Sequence, residues 1–267
     1  MDIYRSGSTF CFSSYSHHSD LLLYNINLPS VMPYMRFIIE PQKFSLYGVI
    51  VFAALAIGAL YIFALLKKDK LMQKNVYLYL LIYVISVIMF SKLFTVVVSA
   101  GEKNIINAGM SSYGAMIGVF AASFIFESML DLDGKLIRYS VISLPLIYGI
   151  SKTACFISGC CCGLPYDGPF SVIYPDGENI PLIPVQLIET VCFLIIFIIL
   201  NAFRKKRYIV YITVISCALL KFLLDYLRND HLTKSITVNQ IFSLVLVVVT
   251  LILFFKNKRK QEIVDKE

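Results

Sequence analysis

Seven apolar runs, most of them near the ~20 residues that cross the hydrocarbon core of a bilayer, follow one another between residues 46 and 255. They occupy 46–66, 76–100, 113–126, 139–157, 184–203, 208–227 and 238–255. Lipid offers no partner to a backbone N–H or C=O, so a run of this kind can cross only as a helix that satisfies its own backbone. The expected fold is therefore an all-α integral membrane protein with seven transmembrane helices. Composition agrees: 58% of residues are hydrophobic and 15% charged, with a mean hydropathy of +0.76, against roughly 45–50% apolar residues in soluble domains.

Basic residues set the orientation. One set of alternate connections holds Lys67, Lys68, Lys70, Lys74, Lys135, Arg138, Arg204, Lys205, Lys206, Arg207, Lys256, Lys258, Arg259, Lys260 and Lys266, 15 of the 24 cations. The other set has Arg5, Arg36, Lys43, Lys103, Arg228 and Lys234. The positive-inside rule then places the N-terminus outside and the C-terminus in the cytoplasm. The net charge of +7 lies in these short clusters rather than along a soluble face, which excludes a nucleic-acid partner and leaves the lipid bilayer as the natural one. Three regions follow: a polar extension at 1–43, a membrane domain at 44–256 and a basic cytoplasmic tail at 257–267. The extension is rich in Ser and Tyr, lacks the apolar core of a signal peptide and is expected to be poorly ordered; Met32 and Met35 are alternative starts.

Charge inside a span is costly and reads as functional by default. Lys92, Lys152, Glu189 and Lys221 lie within the runs, as does Asp225 near the end of the sixth. Lys221, Asp225 and Arg228 are spaced i, i+4 and i+7, one stripe of a helix. Such a stripe either neutralises itself or presents cations to a phosphate with the carboxylate holding them. Pro184 suits the first position of the fifth helix, and Gln186 and Glu189, three residues apart, face the same way. Asn239 and Gln240 open the seventh run. Tyr47 and Tyr113 place phenols at the outer interface, and Gly114, Ala115 and Gly118 form a small-residue face for close helix packing. If the polar groups of spans two, four, five and six converge, they surround excess positive charge, and an anionic phospholipid fits it.

The fourth run ends in the segment from Lys152 to Gly163, Lys-Thr-Ala-Cys-Phe-Ile-Ser-Gly-Cys-Cys-Cys-Gly, and a loop of turn formers follows: Pro165, Asp167, Gly168, Pro169, Pro175, Asp176 and Gly177. Gly159 and Gly163 bracket Cys160, Cys161 and Cys162, with Cys155 one turn earlier. Three consecutive cysteines do not converge readily on one tetrahedral metal, and no Cys-x-x-Cys pair supplies the usual spacing, so no metal is expected. Cys192 and Cys217 lie in apolar runs as small packing residues.

These pieces together resemble the bacterial prolipoprotein diacylglyceryl transferase family over roughly 45–255. The resemblance is carried by Leu46-Tyr47-Gly48, by Tyr113-Gly114-Ala115-Met116-Ile117-Gly118, by Lys152 to Gly163, by Pro184-Val-Gln186-Leu-Ile-Glu189, by Lys221-Phe-Leu-Leu-Asp225-Tyr-Leu-Arg228 and by Asn239-Gln240-Ile-Phe-Ser243. Where the family signature reads Gly-Arg-x-Gly-Asn-Phe-x-Asn-Gly-Glu, this chain has Ser151-Lys152-Thr153-Ala154-Cys155-Phe156-Ile157-Ser158-Gly159-Cys160. Family arginines correspond to Lys92, Lys152 and Lys221, a family glutamate to Asp225 and a family histidine to Tyr113. Lysine keeps the charge of arginine but not its bidentate fork.

The resemblance implies seven spans in a bacterial cell membrane and transfer of the diacylglyceryl group of phosphatidylglycerol to the lipobox cysteine of a preprolipoprotein, without a cofactor. Phosphatidylglycerol and the signal-peptide region of the preprolipoprotein are the implied partners. Lys152, Lys221, Asp225 and Tyr113 are the implied catalytic residues. Tyr47, Lys92, Cys155, Gly159, Cys160, Gly163, Gln186, Glu189 and Arg228 are the implied substrate-binding residues. For thiol deprotonation Asp225, Glu189 and Tyr113 all remain open. Two other readings compete: a catalytically impaired paralogue that binds anionic phospholipid, and a membrane thiol-redox protein built on the cysteine cluster.

Overall fold

The structure is a computed structural model that describes residues 37–39, 44–99, 105, 109–174, 179–232 and 234–264. The extension at 1–36 with Met32 and Met35, and Pro175, Asp176 and Gly177 of the loop, lie outside the described residues. Seven long helices follow in order: α1 (Phe44–Lys68), α2 (Lys74–Val98), α3 (Ser112–Leu130), α4 (Lys135–Ile157), α5 (Val185–Ala202), α6 (Ile209–Asp225) and α7 (Val238–Val264). Six of them are long and apolar enough to cross a bilayer; α6, with 17 residues, is the shortest. Large apolar side chains such as Phe52, Leu60, Leu81, Phe124, Ile198 and Leu223 point outward, as a lipid solvent allows. The chain is an all-α, multi-pass membrane protein.

Close approach of backbones sets the α2–α3 contact. A Cβ on Gly114 would lie 2.3 Å from the carbonyl oxygen of Phe90, and one on Gly118 would lie 2.6 Å from that of Ser86. The small-residue face expected from sequence is therefore the surface on which α2 rests. Hydroxyls join the same layer to α4: Tyr79 bonds Ser140 at 2.5 Å and Tyr83 bonds Ser143 at 3.0 Å, while Tyr79 also meets Ser123 of α3 at 3.0 Å. All five side chains are buried, and each hydroxyl finds a partner inside the bundle.

The ends of α4 are tied differently. At its start the Glu127 carboxylate accepts from the N–H of Gly134 at 2.7 Å and from that of Ile137 at 3.1 Å, satisfying donors that a helix N-terminus leaves open. At its finish, Gly159 (φ 64°) and Cys161 (φ 58°) turn the chain sharply. The ends of α2, α4 and α6 and the starts of α1, α3, α5 and α7 share that second face of the bundle.

Two short strands, β1 (Phe37–Ile38) and β2 (Val172–Ile173), pair in parallel on this face. Residues 37–39 are thus structured and tied to the α4–α5 loop, where sequence placed them in a poorly ordered extension. The reason is pairing with β2, which local composition does not reveal.

Candidate functional site

Buried charge collects where α4, α5 and α6 meet. The Glu189 carboxylate of α5 takes the ammonium of Lys152 from α4 at 2.6 Å on Oε2, and Nη2 of Arg228 at 2.7 Å on Oε1. The three residues expose 0%, 6% and 7% of their surface respectively. Removing Glu189 would take from Lys152 its carboxylate partner and from Arg228 the nearer of two, a loss of order 3–5 kcal/mol for a buried pair broken in this way.

Arg228 reaches this position by leaving the helix. The sequence pattern places it on the α6 stripe, but α6 ends at Asp225, and the Arg228 N–H donates to the Asp225 carbonyl at 3.0 Å in a turn. Its backbone then bridges to Gly163, and its Nε lies 3.6 Å from Oδ1 of Asp225. Asp225 is held from the other side by α7: it accepts from the Thr237 hydroxyl and, at 3.4 Å, from Nδ2 of Asn239. Thr237 and Gln240 cap α7 reciprocally, with N–H to side-chain bonds of 3.1 and 3.2 Å, a capping box.

Lys221 is arranged otherwise. Its ammonium donates to Ser112 Oγ at 2.8 Å and to the Tyr148 hydroxyl at 3.1 Å, and it stands 5.0 Å from the ring centre of Tyr113 and 4.7 Å from that of Tyr148. Among the described residues Lys221 is paired with no carboxylate. Tyr148 in turn donates to Oε1 of Glu189 at 3.1 Å, so a chain of contacts runs from Lys221 through Tyr148 to Glu189 and on to Lys152 and Arg228. Three cations here face two carboxylates.

The structure rearranges several expectations. Tyr113 offers Lys221 its ring face, while its hydroxyl donates to the carbonyl of Asn239 and meets Ser243 Oγ, both at 2.7 Å. Lys92 stands in the last two turns of α2, and its ammonium bonds the carbonyl of Ile105 in the connection to α3 at 3.1 Å; it lies outside the Lys152–Glu189–Arg228 group. Gln186, fully buried, donates to the carbonyl of Cys160 at 2.7 Å and so holds the turn after α4. Pro184 is the residue just before the first turn of α5, not within it. Gly163 has no room for a side chain, because a Cβ would lie 2.4 Å from the Ile183 carbonyl oxygen. Tyr47 couples electrostatically with Lys152 and with Cys155, Cys160 and Cys161.

Sequence reasoning passed over Tyr148 and Ser112. Tyr148 precedes Lys152 by four residues, the same stripe of α4, and that spacing was the available signal. Ser112 and Thr237 carry none, since serine and threonine at a helix start serve as caps far more generally.

The three consecutive cysteines do not gather as a trio, as expected, but Cys155 joins two of them. The sulfurs of Cys155, Cys160 and Cys161 all lie within 4.8 Å of one another, because the turn at Gly159 folds the chain back over the last turn of α4. Thiol hydrogen bonds from Cys155 and Cys160, with the cations of Lys152 and Arg228 behind them, hold the Cys161 thiol well below the usual range. Cys162 turns away and packs with Val172, Tyr174 and Leu182.

Comparison with known proteins accords with this geometry. The chain is similar to phosphatidylglycerol–prolipoprotein diacylglyceryl transferases of Dehalococcoides mccartyi (27% identity over 199 residues, 67% of this chain and 75% of the relative), Rhodospirillum rubrum (28% over 171 residues, 57% and 61%) and Pasteurella multocida (26% over 178 residues, 58% and 63%). The chain thus spans between about three fifths and three quarters of these relatives. The family model described as prolipoprotein diacylglyceryl transferase matches residues 34–256, a match that begins just before β1 and ends within α7, and the chain belongs to the prolipoprotein diacylglyceryl transferase family.

Proposed function

We propose that this chain transfers the diacylglyceryl group of phosphatidylglycerol to the cysteine thiol of a preprolipoprotein, at the outward-facing end of a seven-span bundle in a bacterial cell membrane, with residues 44–256 as the catalytic domain. Family membership and the names of the relatives support the reaction class. The observation that carries the reading for this chain is Lys221, a cation held by two hydroxyls and two aromatic faces and paired with no carboxylate among the described residues. A half-buried cation so placed has room for an anion from outside the chain, and a lipid phosphate supplies one.

In this reading the phosphate of phosphatidylglycerol binds at Lys221, with Lys152 and Arg228 behind it. The substrate thiol attacks the glyceryl carbon that bears the phosphate ester; the carbon–oxygen bond breaks, a thioether forms and glycerol phosphate leaves. The phosphate group gains charge as that bond breaks, so the cations bind the transition state more strongly than the ground state. Tyr113 and Asp225 are committed to α7 through their own hydrogen bonds. The thiol proton leaves with the glycerol phosphate, because Glu189 is already neutralised by Lys152 and Arg228 and accepts from the Tyr148 hydroxyl. Glu189 also keeps Lys152 and Arg228 in register, and Gln186, Gly159 and Gly163 act as positioning residues for the turn.

The test is expression of the chain in cells depleted of their own transferase. Growth and a diacylglyceryl-modified substrate are expected, with both lost in Lys221→Ala. Stable membrane expression without either would overturn the proposal and leave a phospholipid-binding paralogue.

A further inference from the structure

Three thiols stand together at the end of α4, and the transfer step proposed above gives none of them a bond to make or break. Cys155, Cys160 and Cys161 are free, Cys155 is buried and Cys161 is exposed. Their sulfurs lie within 4.8 Å of one another. A metal–thiolate bond of about 2.3 Å asks for sulfur separations of roughly 4 Å, which small rotamer adjustments supply here. We propose that Cys155, Cys160 and Cys161 form a three-thiolate site for a soft d10 cation, cuprous or zinc.

The donor set selects the ion. Three sulfurs suit copper(I) or zinc, while calcium and magnesium require oxygen. Among the described residues no histidine, carboxylate or further cysteine joins the group, so the protein supplies three ligands. Cuprous ion accepts such a set, and zinc would keep one position for solvent. Cys161 gives the ion a way in from the surface, and the buried Cys155 closes the site below.

The backbone of the site is built without the ion. The Cys160 N–H donates to the Cys155 carbonyl at 3.1 Å, and Gln186 fixes the Cys160 carbonyl at 2.7 Å. Asn229 donates to the Cys162 carbonyl at 3.1 Å, and Gly163 bridges to Arg228. Outer contacts of this kind orient metal ligands. Three thiolates with one such ion remain anionic, and the Gly163 bridge brings Arg228 to the same turn. The proposal does not depend on the transfer reaction, because binding of the ion is measured without lipid or peptide.

The experiment uses the full chain, reduced with a phosphine and kept anaerobic in detergent. Cuprous ion or zinc alone is offered against a chromophoric chelator, and bound metal is counted per chain. One equivalent of either ion is expected, with at least a tenfold loss of affinity in Cys161→Ser, whose side chain sits at the surface where folding tolerates it, and in Cys155→Ser. A Cys192→Ser/Cys217→Ser double variant is expected to retain the ion. The proposal is overturned if the unaltered protein retains neither ion, if a Cys155→Ser/Cys160→Ser/Cys161→Ser variant retains as much as the unaltered chain, or if the reduced protein still carries a disulfide between two of the three thiols. Transferase activity, assayed separately on the same preparation, shows whether the function proposed above stands or falls on its own.

Discussion

Lys221 meets Tyr113 across the face of the ring and not at the hydroxyl, and this separates two roles that one tyrosine could have. Tyr113→Phe keeps the ring 5.0 Å from the ammonium and loses only the bonds to Asn239 and Ser243. It is expected to reduce turnover by less than about tenfold, since a neutral hydrogen bond contributes roughly 1 kcal/mol, whereas Tyr113→Ala removes the ring as well and costs more. Steady-state transfer rates of the two variants check this, and a thousandfold loss in Tyr113→Phe would restore the hydroxyl to catalysis. Tyr148→Phe is expected to be the more damaging change, because it cuts the contact between Lys221 and Glu189. Cys161 carries a prediction of its own. Its thiol is exposed, and its neighbours lower its pKa from the ordinary thiol value, which favours the reactive thiolate. Its labelling by iodoacetamide in metal-free protein should therefore outpace that of Cys192 and Cys217 at pH 7 and persist as the pH falls further, read by peptide mass spectrometry.

At the scale of elements, the bundle depends on a few backbone contacts. Gly118→Leu would force a side chain into the Ser86 carbonyl, 2.6 Å from the position of its Cβ. Separation of α2 from α3 and a loss above about 3 kcal/mol are expected, as for overpacking that the backbone cannot absorb; thermal unfolding in detergent measures it. The pairing of β1 with β2 makes Phe37–Ile38 part of the loop that covers the end of α4. Glu127 follows the third apolar run directly, and nothing in that position tells that it caps α4. The capping box of Thr237 and Gln240 was equally hidden, because its first member was not marked as a helix start. The small face at Gly114 and Gly118, by contrast, was legible, since residues four apart lie on one stripe of any helix.

For the whole molecule, alternation of the helices puts every contact of the Lys152–Glu189–Arg228 group at one end of the bundle and the cluster of Arg204, Lys205, Lys206 and Arg207 at the other. A phosphatase reporter inserted after residue 166 is expected to be active outside the cytoplasm, and one fused at residue 260 inactive; the reverse pattern would overturn the orientation. Sequence by itself determined the class of fold, the order of the spans, the family and the presence of Lys152, Glu189, Lys221, Asp225 and Arg228 as the charges needing explanation. These follow from local rules: apolar length, the cost of charge in lipid and the bias of basic connections. Tertiary structure alone decided which charges pair, that Lys221 stands among hydroxyls and rings, that Lys92 stands apart from the ion pairs, and that three thiols meet. Each of these depends on where a helix ends and on what another helix places opposite. Residues far apart in the chain make that decision, and no local pattern carries it.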